Sequence, residues 1–467
     1  MELNAIVNAA KAAFESWAHS SGAVRATLLF GLADAIELNR AHLVEIADQE
    51  TYLGVTRLNG EVDRTCYQLR GFAAVANSGD PFAFTEDLAL AQAPPAGHPH
   101  LRRVRIPLGP VAMFSASNFP FAFSVLGGDT ASALAAGCSV IVKGHSAHKR
   151  LSCAVYEIAQ AVVLQLELPP GLIGFIESEE HSLNLALVGH PDIKAVAFTG
   201  SLSGGLALNK QIQSRSVPIP FYGELGSVNP IVVFPQALEK EADATAKLLA
   251  NSIAQGSGQF CTRPAVVVVL RSAASISFLD AVARHLDASE LHPMLSGRMR
   301  SDFEARKVEV LDSKLVRSLT SERGTTSVPG AFLGVTTADA FIQNLELREE
   351  IFGPACIGVL ANSLTEMEQV LSALVGVLTA TVWGADQEDA ALLPVIRKAQ
   401  EISGRLLFAG VPTGVAVTEA QQHGGPWPSA TQPMHTSVGY RAIDRFLRPV
   451  AIQSPPDWVI RRAGIPI

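Results

Sequence analysis

A cysteine acts as a nucleophile when its backbone lets a ligand come close and a neighbour holds or removes its proton. Cys261 has the first of these written around it. It stands in Gly256-Ser257-Gly258-Gln259-Phe260-Cys261-Thr262-Arg263-Pro264, directly ahead of the apolar run Ala265-Val266-Val267-Val268-Val269-Leu270. Pro264 disfavours helical geometry at Arg263, and the valine run reads as a buried strand. The sequence therefore predicts a thiol on a loop that feeds a sheet, where glycines let the backbone pass close to a bound molecule. The alternative is a packed thiol, since free cysteine is among the most buried residue types.

The elements that would position such a thiol alternate along the chain. Residues 9–47 read as two helices with a break near Ser20-Ser21-Gly22. A proline-rich connector, 91–100, leads into the alternating stretch 101–106, a half-exposed strand outside the main sheet. His98 and His100 in that connector read as exposed loop residues. From Val111 the pattern becomes strand (111–115), helix (121–136), strand (139–143), helix (147–165), then strands at 171–176, 195–199 and 219–222. Such alternation implies right-handed crossovers and a parallel, doubly wound sheet, whose ligands bind beyond the carboxyl ends of the strands. Asn118, Lys143, Gly200-Ser201 and Glu224 all follow predicted strands, so four separate segments are expected to converge on one crevice. Beyond Cys261, helices are expected at 276–286 and 366–374, strands at 355–360 and 379–383, an irregular loop over 410–432 and a last strand within 437–453.

Composition removes other classes of function. A chain of 467 residues exceeds one ordinary core, and 48% apolar with 17% charged residues favours a compact protein of two or three domains. The net charge of −8 is spread out, which leaves no basic footprint for nucleic acid or an anionic membrane. Five scattered cysteines form no CxxC pair, so neither a disulfide framework nor a zinc site is expected, and a cytoplasmic setting fits. No secretory signal or membrane-spanning stretch is read. GxGxxG, Walker A, GxSxG and HExxH motifs are missing. The run Phe198-Thr199-Gly200-Ser201 still follows a strand and opens a helix, where free N–H groups favour an anion or Ser201 serves as an ordinary cap.

Five motifs in order carry a resemblance. Ser117-Asn118-Phe119-Pro120, Phe198-Thr199-Gly200-Ser201, Glu224-Leu225-Gly226, Gly258-Gln259-Phe260-Cys261 and Glu350-Ile351-Phe352-Gly353-Pro354 resemble those of the aldehyde dehydrogenase superfamily over nearly the full length. Lys143-Gly144-His145-Ser146-Ala147-His148 and Gln422-His423-Gly424-Gly425-Pro426 are most similar to its α-ketoglutaric semialdehyde branch, which neighbours an NADP-linked fatty aldehyde branch. The resemblance implies an α/β fold of three parts: a doubly wound coenzyme-binding part (1–93 and 108–225), an α/β catalytic part (226–432) and a small β bridging element (94–107 and 433–467) that pairs subunits into homodimers or homotetramers.

It also implies roles. Cys261 attacks the aldehyde carbon, the Asn118 amide and the Cys261 N–H hold the oxyanion, and Glu224 activates the hydrolytic water, where the alternative is a surface or ion-paired glutamate. Lys143, Gly200 and Ser201, and Glu350 with Phe352, hold the coenzyme. Many NAD-linked relatives carry an acidic residue three positions after the lysine. Here Ser146 replaces it, and His145, His148, Lys149 and Arg150 are nearby donors, so NADP is expected ahead of NAD. His423 either stabilises the thiolate or relays a proton, or it only contacts substrate or backbone. Phe119, Phe123 and Phe260 are expected to narrow the aldehyde channel. For a distal carboxylate, Arg64 and Arg70 are the candidates, with helix-surface placement as the alternative for each. Rival readings are a fatty aldehyde dehydrogenase and a catalytically silent binding protein on the same fold.

Overall fold

The computed structural model describes residues 3–92, 94–239, 241–321 and 323–462. Residues 1–2, 93 and 463–467, which the sequence reading assigns to the coenzyme-binding and bridging parts, lie outside the described residues, as do 240 and 322 in the catalytic part.

Short runs of valine, isoleucine and alanine, buried on both faces, build a five-stranded parallel sheet. Val111–Phe114 is its centre. Val140–Lys143 and then Ile173–Ile176 lie on one side of it, Ala195–Thr199 and then Phe221–Glu224 on the other. The strand order reverses between Val111–Phe114 and Ala195–Thr199, which opens a crevice beyond their carboxyl ends. Lys143, Gly200 and Glu224 stand at that end, and Asn118 follows the central strand. The chain then forms a seven-stranded sheet in the order 317–318, 332–337, 355–361, 266–270, 231–233, 377–383 and 403–407, parallel except for Arg317–Ser318. Leu101–Pro107 pairs antiparallel with Thr85–Asp87 and with Leu447–Gln453 in a separate three-stranded sheet, as its alternating pattern predicts.

Serines and threonines start several of the helices around these sheets by accepting a backbone N–H in the first turn: Ser21, Ser201, Ser272, Ser296, Thr337 and Ser363. Three expectations are corrected. The N-terminal region holds three helices, Leu3–Trp17, Gly22–Leu38 and Arg40–Thr51, because Asn39 breaks the second expected one. The helix expected over 121–136 begins only at Gly128; residues 121–127 turn back on themselves, with the Gly128 N–H donating to Ala122 O at 3.1 Å. The strand expected at 219–222 runs from Phe221 to Glu224, since Pro218 and Pro220 lack the N–H that a ladder needs. Glu224 is thus the final residue of the strand, held in the ladder opposite Thr199.

Two ion pairs separate structural from surface charge. Arg445, 2% exposed, places Nη2 2.7 Å from Asp129 Oδ1, 6% exposed, and ties the approach to the 447–453 strand onto the Gly128–Ala136 helix. Arg70 pairs with Asp34 at 2.9 Å in the open. Removing one partner of a buried pair strands the other charge, at a cost of about 3–5 kcal/mol, whereas exposed pairs contribute roughly 0–1 kcal/mol. In chemical unfolding, Asp129→Ala is expected to lower stability by about 3 kcal/mol or more and Asp34→Ala by less than about 1 kcal/mol.

Candidate active site

Glu224 ends its strand 4% exposed, and the loop carrying Cys261 reaches it from the other sheet. Between them lies His423, fully buried, its Nε2 3.6 Å from Cys261 Sγ and 2.9 Å from Glu224 Oε1. The second carboxylate oxygen of Glu224 accepts the Ser437 hydroxyl. His423 is fixed through its backbone: its N–H donates to Thr436 Oγ1 at 2.8 Å and its carbonyl accepts the Ser437 N–H at 2.8 Å.

Burial and then the Glu224 carboxylate push the Cys261 thiol well above its ordinary range; Glu350 adds to this and Arg64 opposes it. Burial also presses Glu224 upward, yet His423, Ser437 and Cys261 together hold it below the usual carboxylate range. At neutral pH a protonated thiol therefore sits beside an ionised carboxylate. The ligand atoms of Glu224, Cys261 and His423 all lie within 4.8 Å of one another, close enough to hold a metal ion as well. Sequence spacing gave no sign of this grouping, because the three residues come from distant segments.

The Cys261 loop is held by neighbours that the motifs alone do not reveal. Asn229, buried and in the left-handed region that asparagine tolerates (φ 44°), donates its amide to Cys261 O at 2.8 Å and Arg263 O at 2.9 Å. Gly258 adopts φ +70° and packs backbone to backbone on Gly353, where an added Cβ would fall 2.1 Å from the Gly353 carbonyl carbon. Arg263 is fully buried and donates to Ala355 O and Ile351 O, with Nη2 3.7 Å from Glu350 Oε1. The Asn118 side chain donates to Gln259 O at 3.0 Å. An amide carries two N–H donors, so one remains for another acceptor.

Aromatic rings line the approach. Phe119 lies 5.3 Å from Phe123 and 5.2 Å from Phe260 between centroids, both edge-on. Arg64 stands over Phe123, its Nη1 donating to Val415 O at 2.5 Å, while Nε and Nη2 are buried without a hydrogen-bond partner. Arg405 donates to Pro412 O and Gly414 O, and its buried Nε also lacks a partner. A thiolate at Cys261 would act on both guanidiniums, raising their pKa against the effect of burial. Arg70, by contrast, is bound to Asp34 on the helix surface and is corrected as a substrate contact.

On the coenzyme side, Lys143 ends its strand half-buried, and burial lowers its pKa. Ser146 is exposed on the following turn. Gly200 donates its N–H to Glu224 O at 3.0 Å, and Ser201 caps an exposed helix start. Glu350, raised to about 7 by burial against the pull of Arg263, stands close enough to Gly226 that a Cβ there would lie 2.7 Å from its Oε2. Phe352 is half-buried in the same turn. Of the four expected donors near Ser146, His148 is buried with its ring nitrogens bonded to Ala116 O and Ser152 Oγ, and His145 is held near a pKa of about 3 by burial. Arg150 turns to Gln49. Lys149 remains, paired with Glu179.

A profile of the aldehyde dehydrogenase family matches residues 1–399. The chain belongs to that family. Alpha-ketoglutaric semialdehyde dehydrogenase 2 of Azospirillum brasilense is 41% identical over 96% of this chain and 86% of its own length. The alpha-ketoglutaric semialdehyde dehydrogenase of Acinetobacter baylyi is 37% identical over 97% and 86%. Among solved structures, the fold matches 1-pyrroline-5-carboxylate dehydrogenase from Thermus with bound NAD at a TM-score of 0.78 and 20% identity, over 96% of this chain and 85% of that one. It also matches proline utilization A of Bradyrhizobium japonicum at 0.81 and 22% over 96% of this chain, which spans only 44% of that longer protein.

For this aldehyde dehydrogenase, sequence reasoning missed Arg57, Glu61, Asn229, Arg263, Arg405 and Ser437. One signal was present: Arg57, Glu61 and Arg64 stand at i, i+4 and i+7, a single helix face. Asn229, Arg405 and Ser437 carry no spacing signal, because their partners are remote in the chain. The electrostatics yields a test. The Glu224 charge disfavours the thiolate, so its removal lowers the thiol pKa. Glu224→Gln is expected to move the pH profile of Cys261 alkylation by iodoacetamide to lower pH, so that labelling at a fixed neutral pH becomes faster. An unchanged profile contradicts the coupling.

Proposed function

We propose that this aldehyde dehydrogenase oxidises α-ketoglutaric semialdehyde to the dicarboxylic acid, with NADP used ahead of NAD, through a covalent adduct on Cys261. The observation that carries the substrate is the Arg64 guanidinium. Its Nε and Nη2 form the side of the fork that binds a carboxylate with two hydrogen bonds, and they are buried without a hydrogen-bond partner, near enough to Cys261 for a thiolate there to act on the guanidinium. The names of the two curated relatives support the same acid-bearing aldehyde. A fatty aldehyde would leave those donors unpaired, at about 1–3 kcal/mol each.

In this reading the Cys261 proton passes to the Glu224 carboxylate that faces it as sulfur bonds to the aldehyde carbon, with His423 Nε2 beside both groups, and the oxyanion rests on the Asn118 amide and the Cys261 N–H. A nicotinamide coenzyme held by Lys143, Ser201 and Glu350 would supply the hydride acceptor for the former aldehyde carbon, and Cys261 would then carry a thioester. Glu224, once its proton has gone to solvent, takes a proton from the water that attacks the thioester carbonyl. The acid then leaves and the thiol is restored. The donor set suits an anionic dinucleotide: Lys143 at a strand end, an open helix start at Gly200 and Ser201 for phosphate, and Glu350 as an acceptor for a ribose hydroxyl. Ser146 puts no carboxylate against a 2′-phosphate, and Lys143 with Lys149 supplies positive charge, while Glu179 works against it. Coenzyme binding falls to residues 1–93 and 108–225, chemistry to 226–432, and subunit pairing, as a homodimer or homotetramer, to the three-stranded sheet.

Cys261→Ser is expected to abolish aldehyde oxidation; full turnover in that variant overturns the mechanism. Arg64→Ala is expected to lower kcat/KM for the semialdehyde by about tenfold to a hundredfold, the worth of charge-assisted hydrogen bonds of roughly 1.5–3 kcal/mol, and to leave an uncharged aldehyde of equal length nearly unaffected. Equal loss on both aldehydes overturns the substrate assignment. In steady-state kinetics with both coenzymes, NADP is expected to give the higher kcat/KM, and Glu179→Gln to widen the margin. A value for NADP about tenfold or more below that for NAD, ~1.4 kcal/mol in the wrong direction, refutes the argument from Ser146.

A further inference from the structure

The Val55–Ser78 helix supplies a second group of buried charges, which the chemistry above does not use. Arg57 and Glu61 stand one turn apart on it, their side chains 17% and 6% exposed and 3.4 Å from each other. Each holds one end of the loop that carries the oxyanion donor. Arg57 Nη2 donates to Asn118 O at 2.6 Å, and Glu61 Oε2 accepts the Phe121 N–H at 3.3 Å. The same guanidinium lies 5.3 Å from the centre of the Phe119 ring and 4.6 Å from that of Phe260, the neighbour of Cys261. It also packs on Gly256, where an added Cβ would fall 2.4 Å from Arg57 Nη1. A single cation thus touches both the Asn118 loop and the nucleophile loop.

We propose that Arg57 and Glu61 are a positioning pair that sets the separation between the Asn118 amide and the Cys261 loop, and with it the strength of the oxyanion site. This rests on the reading in which Cys261 forms the adduct and Asn118 stabilises it. Preorganised donors act only if they stand where charge develops, and small displacements cost large factors in rate. The aldehyde is held elsewhere, by Arg64 and the phenylalanine rings, so the pair acts on the chemical step and leaves binding alone. Burial lifts the Glu61 carboxyl to about 6, with Arg57 and, more weakly, Arg64 pulling it down. Those two cations face it from its own helix; across the nucleophile loop His292 is the titratable group that feels Arg57. Because the folded value lies above the ordinary one, Glu61 takes a proton as pH falls through about 6 and the ion pair is lost on that side.

The test measures the first-turnover rate of reduced-coenzyme formation, KM and pH dependence in full-length Arg57→Lys, Glu61→Gln and Glu61→Asp, with Asn118→Ala alongside and iodoacetamide titration of Cys261 to count folded sites. Arg57→Lys and Glu61→Gln are expected to slow the first turnover by about tenfold or more, with KM for the aldehyde within roughly twofold. Glu61→Gln is also expected to lose the acid limb near pH 6, and Glu61→Asp to restore part of the rate. If Asn118→Ala slows the reaction but Arg57→Lys and Glu61→Gln match the parent enzyme, or change KM alone, the positioning role is wrong and the Cys261 mechanism stands. If Asn118→Ala itself keeps the full rate, there is no donor to position and both readings fall.

Discussion

The carbonyls of the two residues that flank Thr262 hang from one side chain. Asn229 spends both amide hydrogens on the carbonyls of Cys261 and Arg263, and its oxygen accepts the Ser227 hydroxyl at 2.8 Å and the Thr379 N–H at 3.3 Å. This links the nucleophile loop to two strands of the seven-stranded sheet in a region that water does not reach, where an unmade hydrogen bond is expensive. Everything that meets Cys261 depends on that fixed backbone. His423 and Glu224 approach the sulfur, Gly258 approaches Gly353, and Arg263 reaches the Glu350 turn.

Charge of both signs surrounds this scaffold. Burial and the Glu224 and Glu350 carboxylates raise the Cys261 thiol, and Arg64 opposes them. Arg57, Arg64 and Arg405 stand around the same loop, their guanidiniums largely screened from solvent and only partly satisfied by backbone carbonyls. Under the proposed substrate assignment, Arg64 of this set receives the distal carboxylate.

Much of this was legible in the sequence, for reasons that can be named. The valine run after Pro264 and the alternation from Val111 onward place the strands, because period and β-branching are local properties. The motif glycines mark real backbone contacts, as Gly258 against Gly353 shows. The reading failed where tertiary partners decide. Residues 121–127 have helical composition, yet Glu61 binds the Phe121 N–H and the segment turns. Arg64 and Arg70 look alike in one helix, but six residues set them roughly 240° apart around its axis: one reaches Val415 and Phe123, the other Asp34. Arg405 and Ser437 are ordinary residues in sequence, and only the fold brings them to the site.

The family profile ends at residue 399, while His423 and Ser437 reach Glu224 from beyond that limit. A fragment cut there would retain all five signature motifs and still lack the imidazole and the hydroxyl that complete its reactive centre. The cluster around the sulfur is therefore assembled from the middle and the last part of the polypeptide, and the closing stretch is as necessary to its geometry as the loop that carries the thiol.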